Sequence, residues 1–231
     1  MWPGNLQVIE RVKYPGGEIQ LQKREQHYEI IYNGVFLMAT YNGASERAAV
    51  RSALGIVTRR YKEGIRMLMG GLGVGFSLQE ALQWPQVVRV LTAEIEEAVI
   101  RWNRTFLRDF NGGVLHDGRV ELLKEDFVKV VQREAHRRVP EACYHVVLVD
   151  TDNGSTWLSR PANELLYRKS GLEQIRDCLL PGGVACFWCS SPEKEFEGRL
   201  QQLYRNVEYT SVLEQTGQEG GFYLCLNREG L

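Results

Sequence analysis

The sequence predicts an α/β protein: a mostly parallel, seven-stranded sheet closed by an antiparallel C-terminal hairpin, with a small N-terminal β-hairpin region in front. Three observations carry this. From Arg66 onward, five apolar runs are each followed by a stretch of helical period, the pattern of strand–helix units that build a parallel sheet covered on both faces. The last two strand candidates, "VEYTSVLEQ" and "GFYLCLNR", are joined by a short Gly-containing turn and should pair antiparallel. Near the N-terminus, Asn33-Gly34 sits between two apolar runs, the strongest short-range hairpin signal.

In chain order, "GEIQLQKR" alternates apolar and polar residues, and "HYEIIYNGVFLMAT" supplies the hairpin. "SERAAVRSALGIVTRRY" switches to a helical period, with Ser45 as N-cap. "RMLMG" is the first strand of the main sheet, followed by a helix through "FSLQEALQW". "RVLTAEI" precedes a helix over "EEAVIRWNRTFL", and "RVELLKED" precedes one over "FVKVVQREAHRR". "YHVVLVD" is the fourth strand, then come a long loop and a helix over "NELLYRKSGLEQIRDCLL", which Pro181-Gly182-Gly183 should end. "VACFWCS" is the fifth strand, followed by a helix over "EKEFEGRLQQLYR". One boundary is expected near residue 62, between the hairpin with its linking helix (1–62) and the sheet domain (63–231).

Bulk properties exclude several function classes. Hydrophobic residues make up 44% and charged residues 25% of the 231 residues, ordinary for a globular domain. The net charge of -1 gives no field drawing the chain to nucleic acid or anionic lipid. Met1-Trp-Pro-Gly lacks a basic region followed by an apolar core, and no run of about 18 apolar residues exists. The expectation is therefore a cytoplasmic protein with neither a membrane span nor a nucleic-acid partner. The five cysteines are scattered and mostly inside apolar runs, which favours buried thiols. Cys186-Phe-Trp-Cys189 has redox or zinc spacing, but on a strand its two cysteines face opposite sides. The four histidines show no metal spacing, and no Gly-x-Ser-x-Gly elbow is present.

The chemistry concentrates in "LMGGLGVGF", where an apolar strand runs into glycines and then a helix. A dinucleotide fingerprint starting at Gly71 needs its third glycine at position 76, which is Phe76. The spacing present is Gly71-x-Gly73-x-Gly75, that of S-adenosylmethionine-dependent class I methyltransferases with their Rossmann-like fold. The second strand ends in Glu94-Ile95, where a carboxylate could accept both ribose hydroxyls. The third ends in Glu125-Asp126-Phe127, an acid for an exocyclic amine and a ring to pack near a base. The fourth ends in Asp150. Glycine or acid at four successive strand ends is the layout for a nucleoside lying across the carboxyl edge of such a sheet.

With these residues in place, the chain resembles the spermidine synthase (polyamine aminopropyltransferase) family over nearly its whole length. "LMGGLGVGFSLQEAL" resembles the family's Gly-Gly-Gly-Asp-Gly-Gly loop and helix, and "AEIEEAVI" its Glu-Ile-Asp segment. "LKEDF", "VVLVDTDNGS", "CLLPGGV" and "EIIYNGVFL" are similar to its Gly-Asp-Gly/Ala, Asp-Ser-Ser/Thr-Asp-Pro, Leu-Lys-Pro-Gly-Gly and Leu-Asp-Gly segments. The resemblance implies Glu94 and Ile95 at the ribose, and Asp126 and Phe127 at the adenine. It puts Gly71, Gly73 and Gly75 around the nucleoside and sulfonium, and Asp150 as the base that deprotonates an attacking amine. It also implies a homodimer and a small-molecule acceptor, an amine in the family.

The departures sharpen the expectation. The family's loop aspartate is Val74 here, the second loop aspartate is Asn153, and its proline is Gly154. Carried forward without gaps, the family's glutamine falls on Leu37 and its Tyr-His-Glu on Glu46-Arg47-Ala48. A doubly charged diamine wants several carboxylates, so competence toward putrescine is not expected. The loss of an acid at Val74 suggests that S-adenosylmethionine binds at least as well as its decarboxylated form. The candidate acceptor residues are Asn153, Glu46 and Trp157, the last either stacking on a substrate or anchoring its loop. Three readings follow: a transferase using either nucleoside, an aminopropyltransferase for an unusual amine with Glu46 or Asp152 replacing lost acids, and a nucleoside-binding interaction protein without catalysis.

Overall fold

A computed structural model describes residues 5–14, 16–137, 139 and 143–227. The chain opens with a four-stranded antiparallel sheet, β1 (Leu6–Tyr14), β2 (Gly17–Arg24), β3 (His27–Tyr32) and β4 (Val35–Ala39), paired in that order. The Asn33-Gly34 turn forms as expected, with φ of 49° and 79°. Two successive left-handed residues are what a two-residue hairpin between twisted strands requires. β1 is an addition to the sequence reading. It is an edge strand: Leu6 and Val8 stay exposed, while Ile9, Val12 and Tyr14 pack partly buried against the core, and an irregularity between Val8 and Glu10 breaks the alternation.

Helix α1 (Ala44–Val57) follows. Its N-cap is Gly43 with no side-chain cap of its own, so Ser45 does not play the capping role that the sequence suggested. The orphan N–H groups are met from far away in sequence: Glu214 accepts from Gly43 N (3.0 Å), Ala44 N (3.1 Å) and Ser45 N (2.8 Å). A carboxylate there also complements the positive end of the helix.

The main sheet contains β5 (Ile65–Gly70), β6 (Val87–Ala93), β7 (Val120–Leu123), β8 (Tyr144–Val149), β9 (Leu179–Cys189), β10 (Arg205–Leu213) and β11 (Glu219–Leu226). Their order is β10-β11-β9-β8-β5-β6-β7, and β11 runs against its two neighbours. The connecting helices are α2 (Phe76–Leu82), α3 (Glu97–Arg104), α4 (Arg108–Asn111), α5 (Phe127–Ala135), α6 (Glu164–Tyr167), α7 (Lys169–Asp177) and α8 (Lys194–Leu203). Two expectations change here. The long helix before Pro181 is broken in two at Arg168, whose ψ of 157° is extended. Pro181-Gly182-Gly183 lies within β9 rather than ending a helix, because the strand starts at Leu179.

Two apolar clusters fill the two faces of the main sheet. Phe127, Val131, Leu172 and Phe196 belong to one. The other joins Met67, Met69 and Val146 to Leu54 of α1 and to Ile19, Leu21 and Ile30 of the N-terminal sheet. Helix α1 also packs on β9 and β11, so the N-terminal sheet and its helix share a core with the larger sheet. β5 sits between β6 and β8, where the strand order reverses, and the crevice beyond its carboxyl end is the place such sheets bind ligands. Among the described residues, no helix is long and apolar enough to cross a membrane.

Candidate functional site

The glycine turn is set by close backbone approach. Gly71 has φ of 92°, and a Cβ there would overlap the carbonyl oxygen of Asp150. Asp150 N in turn donates to Gly70 O at 3.0 Å, which locks the ends of β5 and β8 together. A Cβ on Gly70 would strike the Phe127 ring, and one on Gly73 would strike Met38 Sδ. Only glycine fits both the conformation and the space at position 71. Gly75, with φ of 93°, caps α2 and packs near Asn103 and Asn111.

One cavity of about 960 Å³, mouth included, opens above these strand ends. Its walls carry Gly71, Gly73, Glu94, Ile95, Asp126 and Phe127, together with Asp150, Asn153 and, from α1, Glu46. Gly75 and Trp157 are not in its walls. Trp157 is half-buried in the loop after Asp150. Val74 is 0% exposed and lies in the apolar core, not in the cavity wall. The residue that stands where the family has an acid therefore faces the core.

Each acid has a distinct environment. Glu94 Oε2 accepts Leu72 N–H at 3.1 Å and Oε1 accepts Glu96 N–H at 2.8 Å. Burial nonetheless dominates and pushes its carboxyl up to about 7, with the neighbouring Glu96 adding to the rise. Asp126 caps α5 through Oδ1, which accepts Val128 N–H at 2.9 Å. The Phe127 ring beside it is 4% exposed. Glu96 pairs with Arg160 at 3.4 Å. Asp152, a candidate replacement acid, is saturated. It accepts from Ser159 N (2.6 Å) and Ser159 Oγ (2.9 Å), and from Thr151 Oγ1 (2.9 Å), Asn163 Nδ2 (2.9 Å) and Tyr167 Oη (3.0 Å). It staples its own loop and has no lone pair to spare.

Glu46 and Asp150 form the unusual pair. They come from different parts of the chain: burial and then Glu46 push the Asp150 carboxyl upward, and burial and then Glu214 push Glu46 upward. Among the described residues, Ser77 Oγ donates to Asp150 at 3.5 Å and Ser45 Oγ to Glu46 at 2.8 Å. Ser45 Oγ is also 2.7 Å from Glu214 Oε1. One hydroxyl proton serves one carboxylate, so the second short contact needs a protonated carboxyl. Three backbone N–H bonds hold Glu214 ionised, so with no cation in the cavity the proton belongs on Glu46.

Sequence reasoning missed Trp188, Met38 and Arg160, all in the cavity wall. Trp188 hid inside "CFWC", where strand alternation could have put it on the face opposite Cys189. The two cysteines are buried and unbridged as expected. A second cavity shares Leu37, Met38, Glu46, Asn153 and Trp188 with the first. No group of His, Cys, Asp and Glu among the described residues could hold a metal ion.

Comparison with known proteins agrees with this architecture. The polyamine aminopropyltransferase of Prochlorococcus marinus (strain MIT 9301) is 28% identical over 143 residues, 61% of this chain and 47% of that protein. The spermidine synthase of Dictyostelium discoideum is 29% identical over 168 residues, 69% of this chain and 55% of that protein. The chain thus spans about half the length of these curated relatives. The spermidine synthase from Thermotoga maritima superposes with a TM-score of 0.78 at 15% identity, covering 96% of this chain and 74% of that one. A spermidine synthase in complex with the transition state analogue AdoDATO gives 0.76 at 14% identity, covering 96% and 73%. At such identities the likeness speaks for the fold, a Rossmann-like sheet preceded by a small antiparallel one. The family described as "Spermine/spermidine synthase domain" matches residues 54–211, and the chain belongs to that family.

Proposed function

We propose that this protein is an aminopropyltransferase that uses decarboxylated S-adenosylmethionine and a primary amine acceptor. The observation that carries the reading is the convergence of Glu46 and Asp150 on one cavity beside the glycine turn. Two buried carboxyls on one cavity, each costly to ionise alone and each with few protein donors, are arranged for a cation.

The wall residues fit a nucleoside. Glu94 keeps lone pairs beyond its two backbone bonds for the ribose hydroxyls, Asp126 keeps Oδ2 for the adenine amine, and Phe127 offers a ring face. Seven carboxyl side chains line the cavity (Glu46, Glu94, Glu96, Glu125, Asp126, Asp150 and Asp152) against one guanidinium, Arg160, which Glu96 already engages. That field favours the decarboxylated nucleoside, with its sulfonium and ammonium, over one that adds a carboxylate. It outweighs the inference from Val74, whose side chain lies in the core.

The bound sulfonium supplies an electrophilic propyl carbon and a neutral thioether leaving group. Glu46 and Asp150 attract the acceptor as its ammonium and hold its nitrogen in the cavity. Asp150 takes one proton, and the freed lone pair forms the N–C bond as the C–S bond breaks, its electron pair staying on sulfur. The apolar wall of Leu37, Met38 and Ile30 excludes water from the reacting atoms.

The test measures 5′-methylthioadenosine release from decarboxylated S-adenosylmethionine with a panel of amines, alongside calorimetric titration of both nucleosides. Amine-dependent release that Asp150→Asn abolishes, with at least tenfold preference for the decarboxylated nucleoside, is the expected result. Equal or tighter binding of S-adenosylmethionine, or release insensitive to amine, defeats the proposal.

A further inference from the structure

We infer that the acceptor is an amine with one ammonium head on an apolar stem, the head held between Glu46 and Asp150 and the stem packed on Leu37, Met38 and Trp188. The inference rests on the amine-transfer reading above and narrows it to a substrate class.

The neck where the first cavity meets the second is the decisive place. The residues common to both cavities are Leu37, Met38, Glu46, Asn153 and Trp188. Glu46 is the one acid among them, and it belongs to the head site. The others offer a branched alkyl group, a thioether, an indole and a neutral carboxamide. An ammonium in this neck gives up water and gains no counter-charge, whereas a methylene stem gains about fourfold in affinity per buried CH2.

The acids around the neck have no capacity for a second ammonium. On the inner side, Asp152 spends both oxygens on its loop. On the outer side, Glu214 gives both oxygens to the start of α1, one to Gly43 N and Ala44 N, the other to Ser45 N and Ser45 Oγ. Glu219 is exposed and accepts from Ser211 Oγ at 3.0 Å, so water screens it. Glu46 and Asp150 alone remain open, and together they hold one cation.

The indole is held in place. Trp188 Nε1 donates to Ser45 Oγ at 3.0 Å, which fixes the ring beside Glu46. Gly220 makes room for it, since a Cβ there would come within 3.2 Å of Trp188 Cζ2 and 3.0 Å of Ser45 Oγ. A pinned aromatic face next to an acid binds an alkylammonium along its stem at small entropic loss.

The experiment titrates butylamine, hexylamine and phenethylamine against 1,4-diaminobutane and 1,6-diaminohexane by calorimetry, on the full chain saturated with 5′-methylthioadenosine. Hexylamine should bind at least tenfold more tightly than 1,6-diaminohexane, and affinity should climb with stem length. Trp188→Ala should lower hexylamine affinity at least tenfold. Leu37→Glu places an acid in the neck and should reverse the order in favour of the diamine, with thioadenosine binding as the check on folding. Diamines binding as well as or better than the matched monoamines overturn this inference and leave the amine-transfer reading standing. No binding of either amine class, with thioadenosine bound, overturns both.

Discussion

Replacing Glu94 by glutamine isolates the balance on which nucleoside binding depends. Burial lifts this carboxyl from 4.5 to about 7, so near pH 6 roughly nine in ten molecules of free protein carry a proton there, and near pH 8 about one in ten. Ribose hydroxyls donate to the ionised form, so binding 5′-methylthioadenosine must expel that proton at low pH. The affinity should therefore be about tenfold weaker at pH 6 than at pH 8, with close to one proton released at pH 6. This neutral thioether is the right probe because it makes no demand on Glu46 or Asp150 as cation ligands. Calorimetry in two buffers of different ionisation enthalpy reads the proton directly.

Stability gives a second readout of the same group. A carboxyl raised in the folded state contributes stability that is whole below the unfolded value of 4.5 and is lost as pH rises through about 7. The loss for Glu94 amounts to roughly 3 kcal/mol, about 1.4 for each of the two and a half units. Glu94→Gln has no such loss, but it leaves Leu72 N–H or Glu96 N–H without an acceptor, about 1–3 kcal/mol at any pH. The variant should thus be less stable than the wild type at pH 5 and match or exceed it by pH 8, while binding thioadenosine weakly at both. A wild-type affinity flat from pH 5.5 to 8 with no proton exchange refutes the reasoning.

Other substitutions separate the roles of neighbouring groups. Asp150→Asn should reduce turnover by about 10²–10⁴-fold with thioadenosine affinity kept within a few-fold; a turnover close to wild type removes the base from Asp150. Glu46→Gln keeps the Ser45 contact but cannot ionise to meet an ammonium, so the amine KM should rise at least tenfold with a smaller change in kcat. Gly71→Ala puts a methyl group against the Asp150 carbonyl at a φ of 92°, and strain plus overlap should destabilise by about 2–4 kcal/mol in a denaturant titration. Glu214→Ala strips the start of α1 of its acceptor and should lower stability by about 2 kcal/mol at pH 7. Because its backbone and Ser45 bonds hold Glu214 below the usual carboxylate range, that stabilisation is present above the unfolded value and fades as pH falls through the folded one. The gap between variant and wild type should close in acid.

The order of strands and helices was legible from Arg66 onward because each strand is a short apolar run with a helical period behind it, a local property. The Asn33-Gly34 hairpin was legible because only certain residues accept successive left-handed angles. The glycine spacing and the acids at strand ends were legible for a related reason. Topology sends the carboxyl ends of parallel strands to one edge, so Glu94, Asp126 and Asp150 were bound to meet there. β1 was not legible, because its inward residues Ile9, Val12 and Tyr14 are only partly buried and the irregularity between Val8 and Glu10 breaks the alternation. The split at Arg168 was also hidden, since both halves share one helical period.

What only the tertiary structure decided is which of those groups remain free. Val74 drew attention as a missing acid, yet its side chain packs in the core. Asp152 and Glu214 are acids by sequence and are spent on backbone and hydroxyl donors in the fold. Trp188 is a core-strand residue by pattern and a cavity wall by position. Glu46, on a helix outside the strand–helix units, reaches the cavity because α1 packs against the sheet. A sequence fixes which charges and donors a chain owns, but hydrogen-bond saturation and burial are set by partners many residues away, and those partners decide which carboxylates are left for a ligand.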